Sequence, residues 1–185
     1  MRKNFPVNPW FYPLPVLIIG TYDENGKPDA MNAAWGGLYD SDLVEICLSS
    51  GHKTTKNILK KKAFTVAFGT ADTVAACDYV GLVSANNVGD KMQRSGFTTT
   101  KSAVIDAPVI NELPLALECK LEKVTEDGNV IGKIVNICAD ESILDENGEI
   151  DYKKLRPISY EPVKNEYVVM GESVGKAFSE GKKLK

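Results

Sequence analysis

The chain has 185 residues, enough for one domain with a sizeable core and too few for two ordinary domains, so we expect a single domain over 1–185. Its 22 basic and 25 acidic residues give a formal charge of -3, which disfavours nucleic acid and anionic membranes as partners. Asn8, Pro9 and Pro13 interrupt any secretory apolar segment and no long apolar run follows, so a soluble cytoplasmic protein is expected.

Apolar runs bounded by turn residues dominate the first part of the chain. Asn25 and Gly26 tolerate the positive φ angles of a type I′ turn, so the strands on either side should form an antiparallel hairpin. The predicted elements are an extended proline-rich arm at 1–12, strands at 16–21, 28–35 and 43–48, a short basic helix at 55–62 and a strand at 63–69.

The second part of the chain contains the clearest strand. Leu115, Leu117, Cys119 and Leu121 occupy alternate positions, which predicts one buried and one solvated face. The predicted elements are a helix at 73–83, a loop at 84–87, strands at 115–122 and 130–139, a helical turn at 151–155, a strand at 167–170 and a frayed tail at 179–185. Strands joined by hairpins favour a mainly β fold, an antiparallel barrel or sandwich with helical insertions.

Several common kinds of active site do not fit the sequence. Gly171, Ser173 and Gly175 match the G-x-S-x-G pattern of hydrolases, but the single histidine, His52, lies upstream and about ten residues remain after the serine. No phosphate-binding P-loop and no Rossmann glycine pattern is present. We therefore reject a serine hydrolase, and the sequence supports neither a nucleoside triphosphatase nor a Rossmann dehydrogenase.

The cysteines do not form a recognisable metal site. Cys47, Cys77, Cys119 and Cys138 are widely spaced, lack a C-x-x-C pair and lie in mostly apolar surroundings. With one histidine in the chain, a structural zinc site is hard to assemble, so no metal is expected. All four are interpreted as reduced core thiols.

A polar segment between a predicted strand and a predicted helix has the chemistry of an anion site. Free backbone N–H groups and the helix dipole attract phosphate, hydroxyls can donate to it, and a lysine adds charge. The segment contains Ser49, Ser50, Gly51, His52, Lys53, Thr54 and Thr55. From the residues alone, an ordinary helix cap with Ser50 or Thr54 as the capping side chain is the favoured interpretation.

Small side chains fill residues 29–37, where a strand is predicted. Ala30, Ala33 and Ala34 stand beside Asn32 and before Trp35. Small residues let a flat ligand approach the backbone, although a tight contact between strands with Trp35 in the core is the other interpretation.

Taken together, the order and spacing of these segments resemble the flavin reductase-like, FMN-binding split-barrel family, the flavoredoxin group. The similarity runs from about residue 8 to residue 178. The segments that carry it are 13–16, 26–36, 51–58, 78–84, 107–119, 139–141 and 171–178.

The resemblance implies a six-stranded Greek-key split β-barrel, usually a homodimer, with FMN held non-covalently in a groove. It places Met31, Asn32, Ala33 and Ala34 along the isoalloxazine ring. It assigns the phosphate and ribityl chain to Ser49, Ser50, His52, Lys53, Thr54 and Thr55. It places Ser84 and Lys91 in a later loop that closes over the cofactor.

One departure from the family pattern concerns the phosphate. Many relatives have arginines where this chain has Ser49 and His52, and Lys53 offers the nearby positive charge. Arginine binds a phosphate with a planar, bidentate fork, whereas lysine is a point charge. The residues of this segment therefore do not decide between FMN and FAD as the cofactor.

The implied function is that of a flavin reductase in which FMN accepts a hydride from NAD(P)H and passes electrons to a small-molecule or protein acceptor. No catalytic acid or base is expected, and His52 should serve the phosphate. The alternatives are an electron-transfer protein with a resident FMN and no NAD(P)H turnover, or a structural module that has lost its flavin.

Overall fold

The computed structural model describes residues 1–184 and shows a mainly β fold with four α-helices. The strands are β1 (Leu14–Pro15), β2 (Leu17–Tyr22), β3 (Pro28–Ala33), β4 (Gly36–Asp40), β5 (Leu43–Ile46), β6 (Ala63–Phe68), β7 (Thr99–Lys101), β8 (Pro108–Ile110), β9 (Leu115–Val124), β10 (Val130–Ala139), β11 (Ile158–Glu161) and β12 (Glu166–Val169). The helices are α1 (Lys53–Lys61), α2 (Val74–Leu82), α3 (Lys91–Ser95) and α4 (Tyr152–Leu155), with 3₁₀ turns at Ala71–Thr73, Glu141–Ile143 and Glu180–Leu184. The predicted strands and helices are all present, with ends that differ by at most two residues.

The main sheet curls into a barrel of antiparallel strands. Its order is β3-β2-β6-β9-β10-β5-β4, so β3 and β4 lie at opposite edges although two residues separate them in the chain. The predicted strand 28–35 is therefore divided: β3 pairs with β2, the chain bends at Ala34 and Trp35, and β4 pairs with β5. The N–H of Cys47 donates to the carbonyl of Trp35 at 2.8 Å and extends the second pairing. Counting β3 and β4 as one bent strand gives six strands, which agrees with the predicted split barrel.

Strand β2 is buried on both of its faces. Leu17 and Ile19 pack inside the barrel, whereas Val16 and Ile18 pack on the outside against α2. This explains why the run 16–21 is apolar at nearly every position, since neither face meets water. Helix α2 is thereby fixed against the barrel wall.

Strand β9 differs from the predicted half-buried strand. Ala116 and Glu118, expected on the solvated face, are both buried, and that face meets water only from Lys120 onward. The outer cluster around α2 covers Ala116, and the side-chain amide of Asn136 donates to the Glu118 carboxylate. The alternating pattern predicted the strand correctly. It predicted the solvated face wrongly, because a pattern along one strand cannot show what packs outside the barrel.

The cysteine prediction is confirmed in part. Cys77 and Cys119 are buried and Cys138 is half-buried, but the prediction is wrong for Cys47, which is exposed just beyond the end of β5. Burial, reinforced by the charge of Glu118, raises the pKa of Cys119 to about 12. The Cys119 thiol is therefore protonated at neutral pH.

A smaller sheet of order β1-β11-β12 lies beside the barrel. After β12 the chain runs through exposed residues and ends in the 3₁₀ turn Glu180–Leu184, while the last position of the predicted tail, Lys185, lies outside the described residues. Across residues 1–184, no helix has the length and apolarity needed to cross a membrane.

Candidate functional site

A cavity of about 230 Å³ lies where β3, the N-terminal end of α1 and the loop after α2 meet. The end of α2, residues 80–83, and Asp29 contribute to its walls. Seven predicted site residues line it: Met31, Asn32, His52, Lys53, Thr54, Ser84 and Lys91. The fold thus brings the three predicted segments to one place.

A second cavity, of about 250 Å³, continues the first one along β3. Both are lined by Asn32, Gly81 and Leu82, so together they form one elongated groove, which we call the β3 groove. The other residues that line the second cavity are Val16, Ala34, Asp78, Tyr160 and Tyr167. One end of the groove is therefore polar and the other is lined by small and aromatic side chains.

Asn32 and Gly81 set the width of the groove at its middle. The side-chain amide of Asn32 donates to the carbonyl of Cys77 at 3.1 Å, which joins β3 to α2. A Cβ at Gly81 would lie 3.1 Å from the Asn32 Cβ, tighter than ordinary contact. Glycine at this position allows the close approach of α2 to β3.

The polar end of the groove is the N-terminus of α1. His52 is the capping residue with extended backbone angles, and within residues 1–184 no side chain accepts a hydrogen bond from the first turn. The hydroxyl of Thr54 instead donates to Asp29 at 2.9 Å, and that of Thr55 donates to the Ser49 carbonyl at 2.8 Å. The alternative of a self-capped helix is therefore not found, and the first-turn N–H groups remain available to an anion.

A buried ion pair lies beneath this end. The Lys91 ammonium is 3.5 Å from Oδ1 of Asp29, and both side chains are almost fully buried. Within the described chain Oδ1 accepts no hydrogen bond, whereas Oδ2 accepts the one from Thr54. Burial lowers the pKa of Lys91, and the Asp29 charge opposes this shift. Oδ1 is therefore compensated by the Lys91 ammonium and Oδ2 by the Thr54 hydroxyl.

A second lysine–aspartate pair lies closer to the surface. Lys53 is 3.8 Å from Oδ2 of Asp23 and keeps a partly exposed side chain. Burial alone would raise the pKa of Asp23, but hydrogen bonds from the N–H groups of Lys27 and Asn25 and the charge of Lys53 lower it. The Asp23 carboxylate therefore carries a charge at neutral pH and anchors Lys53 beside the helix terminus.

A sequence profile described as "Flavin reductase like domain" matches residues 11–158, which is most of the chain. The chain belongs to the flavin reductase-like family. Its strand order and the split-barrel members among its structural neighbours confirm the predicted fold class.

Solved structures of two flavoredoxins are similar to this family member over nearly its whole length. Flavoredoxin of Desulfovibrio vulgaris (Miyazaki F) is 35% identical, with 98% of this chain and 100% of that chain covered and a TM-score of 0.93. Flavoredoxin from Methanosarcina acetivorans is 28% identical, with 100% of each chain covered and a TM-score of 0.89. An uncharacterized protein of Aquifex aeolicus is 33% identical over 57% of this chain, and the match spans about half, 55%, of that relative's length.

In this flavin reductase-like chain, a loop at 84–90 closes one side of the groove. The N–H of Asn86 donates to Oγ of Ser84 at 3.2 Å, which tightens a turn at its start. The Asn86 side-chain amide donates to the carbonyl of Gly51 at 3.2 Å and so joins the loop to the segment before α1. Lys27 donates to the Gly89 carbonyl at the other end of the loop. The loop is held over the polar end by contacts from two different segments.

Five predicted site residues lie outside the first cavity. Ala34 lines the second cavity, at the other end of the β3 groove. Ala33 packs inside the barrel, and Thr55 is buried behind the first turn of α1. Ser49 and Ser50 are exposed in the turn before α1 and line neither cavity.

Sequence reasoning missed Asp29 and the aromatic end of the groove. An aspartate inside a predicted strand is unusual, and that was the available signal for Asp29. Asp78 accepts a hydrogen bond from the Tyr167 hydroxyl at 2.7 Å, and burial together with this bond raises the pKa of Tyr167. Only the fold brings β12 to α2, so no local pattern could have shown that pair.

Proposed function

We propose that the β3 groove binds FMN non-covalently and that the protein is a flavin-dependent oxidoreductase, most simply an NAD(P)H-dependent flavin reductase. The observation that carries the proposal is an uncapped helix N-terminus beside the buried Asp29–Lys91 pair, at one end of a groove whose other end is lined by small side chains. FMN presents a phosphate, a hydroxyl-bearing ribityl chain and a flat ring in the same order. Membership of the flavin reductase-like family supports a flavin-binding oxidoreductase function.

The phosphate fits the N-terminus of α1. Its oxygens would accept hydrogen bonds from the first-turn N–H groups, where the helix dipole favours negative charge. Lys53 supplies an ammonium at this position, and His52 flanks it. These two residues stand in for the arginine fork found in many relatives, so we expect a phosphate held mainly by backbone donors.

The ribityl chain fits beside Asp29. The hydroxyls of the ligand would lie against the part of the cavity wall that Asp29 and Lys91 form, where polar groups face them. Lys91 holds the carboxylate in position through the buried ion pair.

The ring fits along the far half of β3, between that strand and α2. Ala34 leaves room for a flat group to approach the backbone of the strand, beyond the point where Gly81 brings α2 close to Asn32. Bound FMN supplies the redox chemistry, as an acceptor of hydride from NAD(P)H and a donor of electrons to an acceptor. The residues of this chain bind and orient the ring and exclude water, and we assign no side chain as a general acid or base.

The second candidate is an electron-transfer protein with a resident FMN and no NAD(P)H turnover. The 35% identity to a flavoredoxin over 98% of the chain favours keeping it. In either case the acceptor is a small molecule or a protein, and we propose a cytoplasmic location and a homodimer.

Purification under mild conditions tests both candidates. A yellow protein whose visible absorbance bleaches at catalytic rates on anaerobic addition of NADH or NADPH supports the reductase. A yellow protein that only dithionite or a redox partner reduces supports the carrier. A colourless protein whose unfolding temperature does not change with added FMN contradicts both, since a ligand that binds the folded state must stabilise it.

A further inference from the structure

Tyr167 and Asp78 form a hydrogen bond of fixed direction at the aromatic end of the β3 groove. The Tyr167 hydroxyl donates to Oδ1 of Asp78 at 2.7 Å, and both residues line the second cavity. Burial, this hydrogen bond and the negative charge of Asp78 raise the pKa of Tyr167, so the phenol keeps its proton and remains the donor. The ring of Tyr160 lies beside that of Tyr167, with 6.2 Å between the centroids. The Asp78 carboxylate is therefore held in place at the groove wall.

The charge of Asp78 is not offset by a neighbouring cation. Among the described residues that line the second cavity, Asp78 has the only charged side chain. The aspartates that form ion pairs within residues 1–184 are Asp23, Asp29, Asp42, Asp72, Asp90 and Asp106. Asp78 is not one of them. The two ends of the groove therefore differ, since the polar end pairs its lysines with carboxylates and the aromatic end presents one uncompensated carboxylate.

We propose that Asp78, positioned by Tyr167, lowers the reduction potential of the FMN bound in the β3 groove, an inference that rests on the proposed FMN function. A hydride adds two electrons and one proton to the flavin, so the neutral oxidised ring becomes an anion unless a second proton follows. A carboxylate at the cavity wall repels that anion and has little effect on the neutral oxidised ring. Reduced FMN is thereby bound more weakly than oxidised FMN and gives up its electrons more readily.

The size of the effect depends on distance and on screening by water. The ring would occupy the cavity whose wall includes Asp78, so several ångströms would separate the two charges. Asp78 is half-buried, so water screens their repulsion in part. At an effective dielectric constant of about 20 to 40, such a repulsion changes an equilibrium constant about tenfold. For a two-electron couple, a tenfold change corresponds to about 30 mV.

A purely hydrogen-bonding role for Asp78 makes a different prediction. A carboxylate that only accepts a hydrogen bond from the ring would stabilise oxidised and reduced FMN alike, and equal affinity for two states shifts no equilibrium between them. A purely structural role, in which Asp78 joins α2 to β12, would also affect both forms equally. The affinities of the two redox states therefore separate these roles from the proposed one.

A potentiometric titration of the FMN-loaded protein, combined with the dissociation constant of oxidised FMN, gives the affinity of both redox states. In Asp78→Asn, oxidised FMN should bind as in the parent and reduced FMN about tenfold more tightly, so the potential should rise by about 30 mV. Asp78→Ser, which also removes the charge, should give the same shift. Asp127→Asn, an exposed aspartate in the turn between β9 and β10, loses the same charge outside the groove and should change neither affinity. Equal changes for both redox states, or an unshifted potential, would overturn the proposal.

A double variant tests whether Tyr167 acts through Asp78. Tyr167→Phe should tighten the binding of reduced FMN by only about two- to threefold, because the carboxylate remains but is no longer held in place. In the Asp78→Asn background the same change should have no further effect, and additive shifts would contradict the positioning role. A parent that binds no FMN overturns the proposed function together with this inference. Tight FMN binding with an unshifted potential in Asp78→Asn overturns this inference alone.

Discussion

Single and double substitutions can test how much the buried Asp29–Lys91 pair at the polar end of the groove contributes to stability. We consider the single variants Asp29→Asn and Lys91→Met and the double variant that combines them. Both side chains are about one-twentieth exposed, so water screens their interaction little. Removing one partner from a buried pair leaves the other charge without compensation, whereas replacing both does not.

The expected loss in the free energy of unfolding of each variant follows from the partners that the remaining charged side chain keeps. In Lys91→Met the Asp29 carboxylate keeps only the Thr54 hydrogen bond at 2.9 Å, and we expect a loss of about 3 kcal/mol in the free energy of unfolding. In Asp29→Asn, Lys91 can release its proton more easily because burial has already lowered its pKa, so about 2 kcal/mol is expected. The double variant should cost only about 2 kcal/mol, which leaves a coupling energy of about 3 kcal/mol.

Urea unfolding of the four flavin-free proteins, followed by far-UV circular dichroism, measures these differences from the midpoints at constant slope. Flavin-free protein is required because bound ligand would add its own stabilisation. If the two single losses add in the double variant to within about 0.5 kcal/mol, the two residues do not act as a pair. The contact between the two charges would then contribute nothing to the free energy of unfolding, and the role of Lys91 in the groove would have to be reconsidered.

Three further outcomes follow from the same structure. Lys53→Ala should weaken FMN binding by only about two- to threefold, because Asp23 already offsets its charge and the backbone N–H groups of α1 hold the phosphate, while Lys60→Ala, an exposed lysine further along α1, should leave the affinity unchanged in a fluorescence titration. The pKa of Lys91 is lower in the folded state than in the unfolded state, so below about pH 10.5 the native state binds fewer protons than the unfolded state. The free energy of unfolding of the parent should therefore rise with pH in this window relative to that of Lys91→Met. Equal slopes of the two free energies against pH, measured by urea unfolding, would contradict this. Iodoacetamide at about pH 8.5 should alkylate the exposed Cys47, slowly because partial burial and the charge of Glu45 raise its pKa, and should spare the buried Cys119, whose pKa is about 12. Mass spectrometry that finds Cys119 modified in folded protein would show that the core opens.

The helix terminus at the polar end was predictable because its signals are local. A strand end, a glycine and hydroxyl residues before a basic helix stand within a few positions of one another, and the structure places His52, Lys53 and Thr54 together at the cavity. The helix begins at Lys53 rather than Thr55 because His52 serves as the cap without using its side chain. Composition alone could not separate this arrangement from an ordinary cap.

The buried pair could not be predicted in the same way. Asp29 lies in β3 and Lys91 begins α3, and only the closure of the loop at 84–90 brings their charges to 3.5 Å. The burial of Glu118 in strand β9 could not be predicted from sequence either. It depends on the hydrogen bond from Asn136 of the neighbouring strand and on the helix layer that packs outside the barrel. Contacts of high sequence separation decide which polar residues are buried.

The charge balance at the polar end of the β3 groove bears on the proposed phosphate site, which contains no arginine. Lys53 is paired with Asp23 and Lys91 with Asp29, so the two ammonium groups there are offset by two carboxylates. The positive potential that an anion meets must therefore come largely from the uncapped N–H groups of α1 and their dipole. Because those donors are fixed by the backbone and screened less than exposed side chains, FMN affinity should depend only weakly on ionic strength. A steep loss of affinity with added salt would instead assign the phosphate to the lysines.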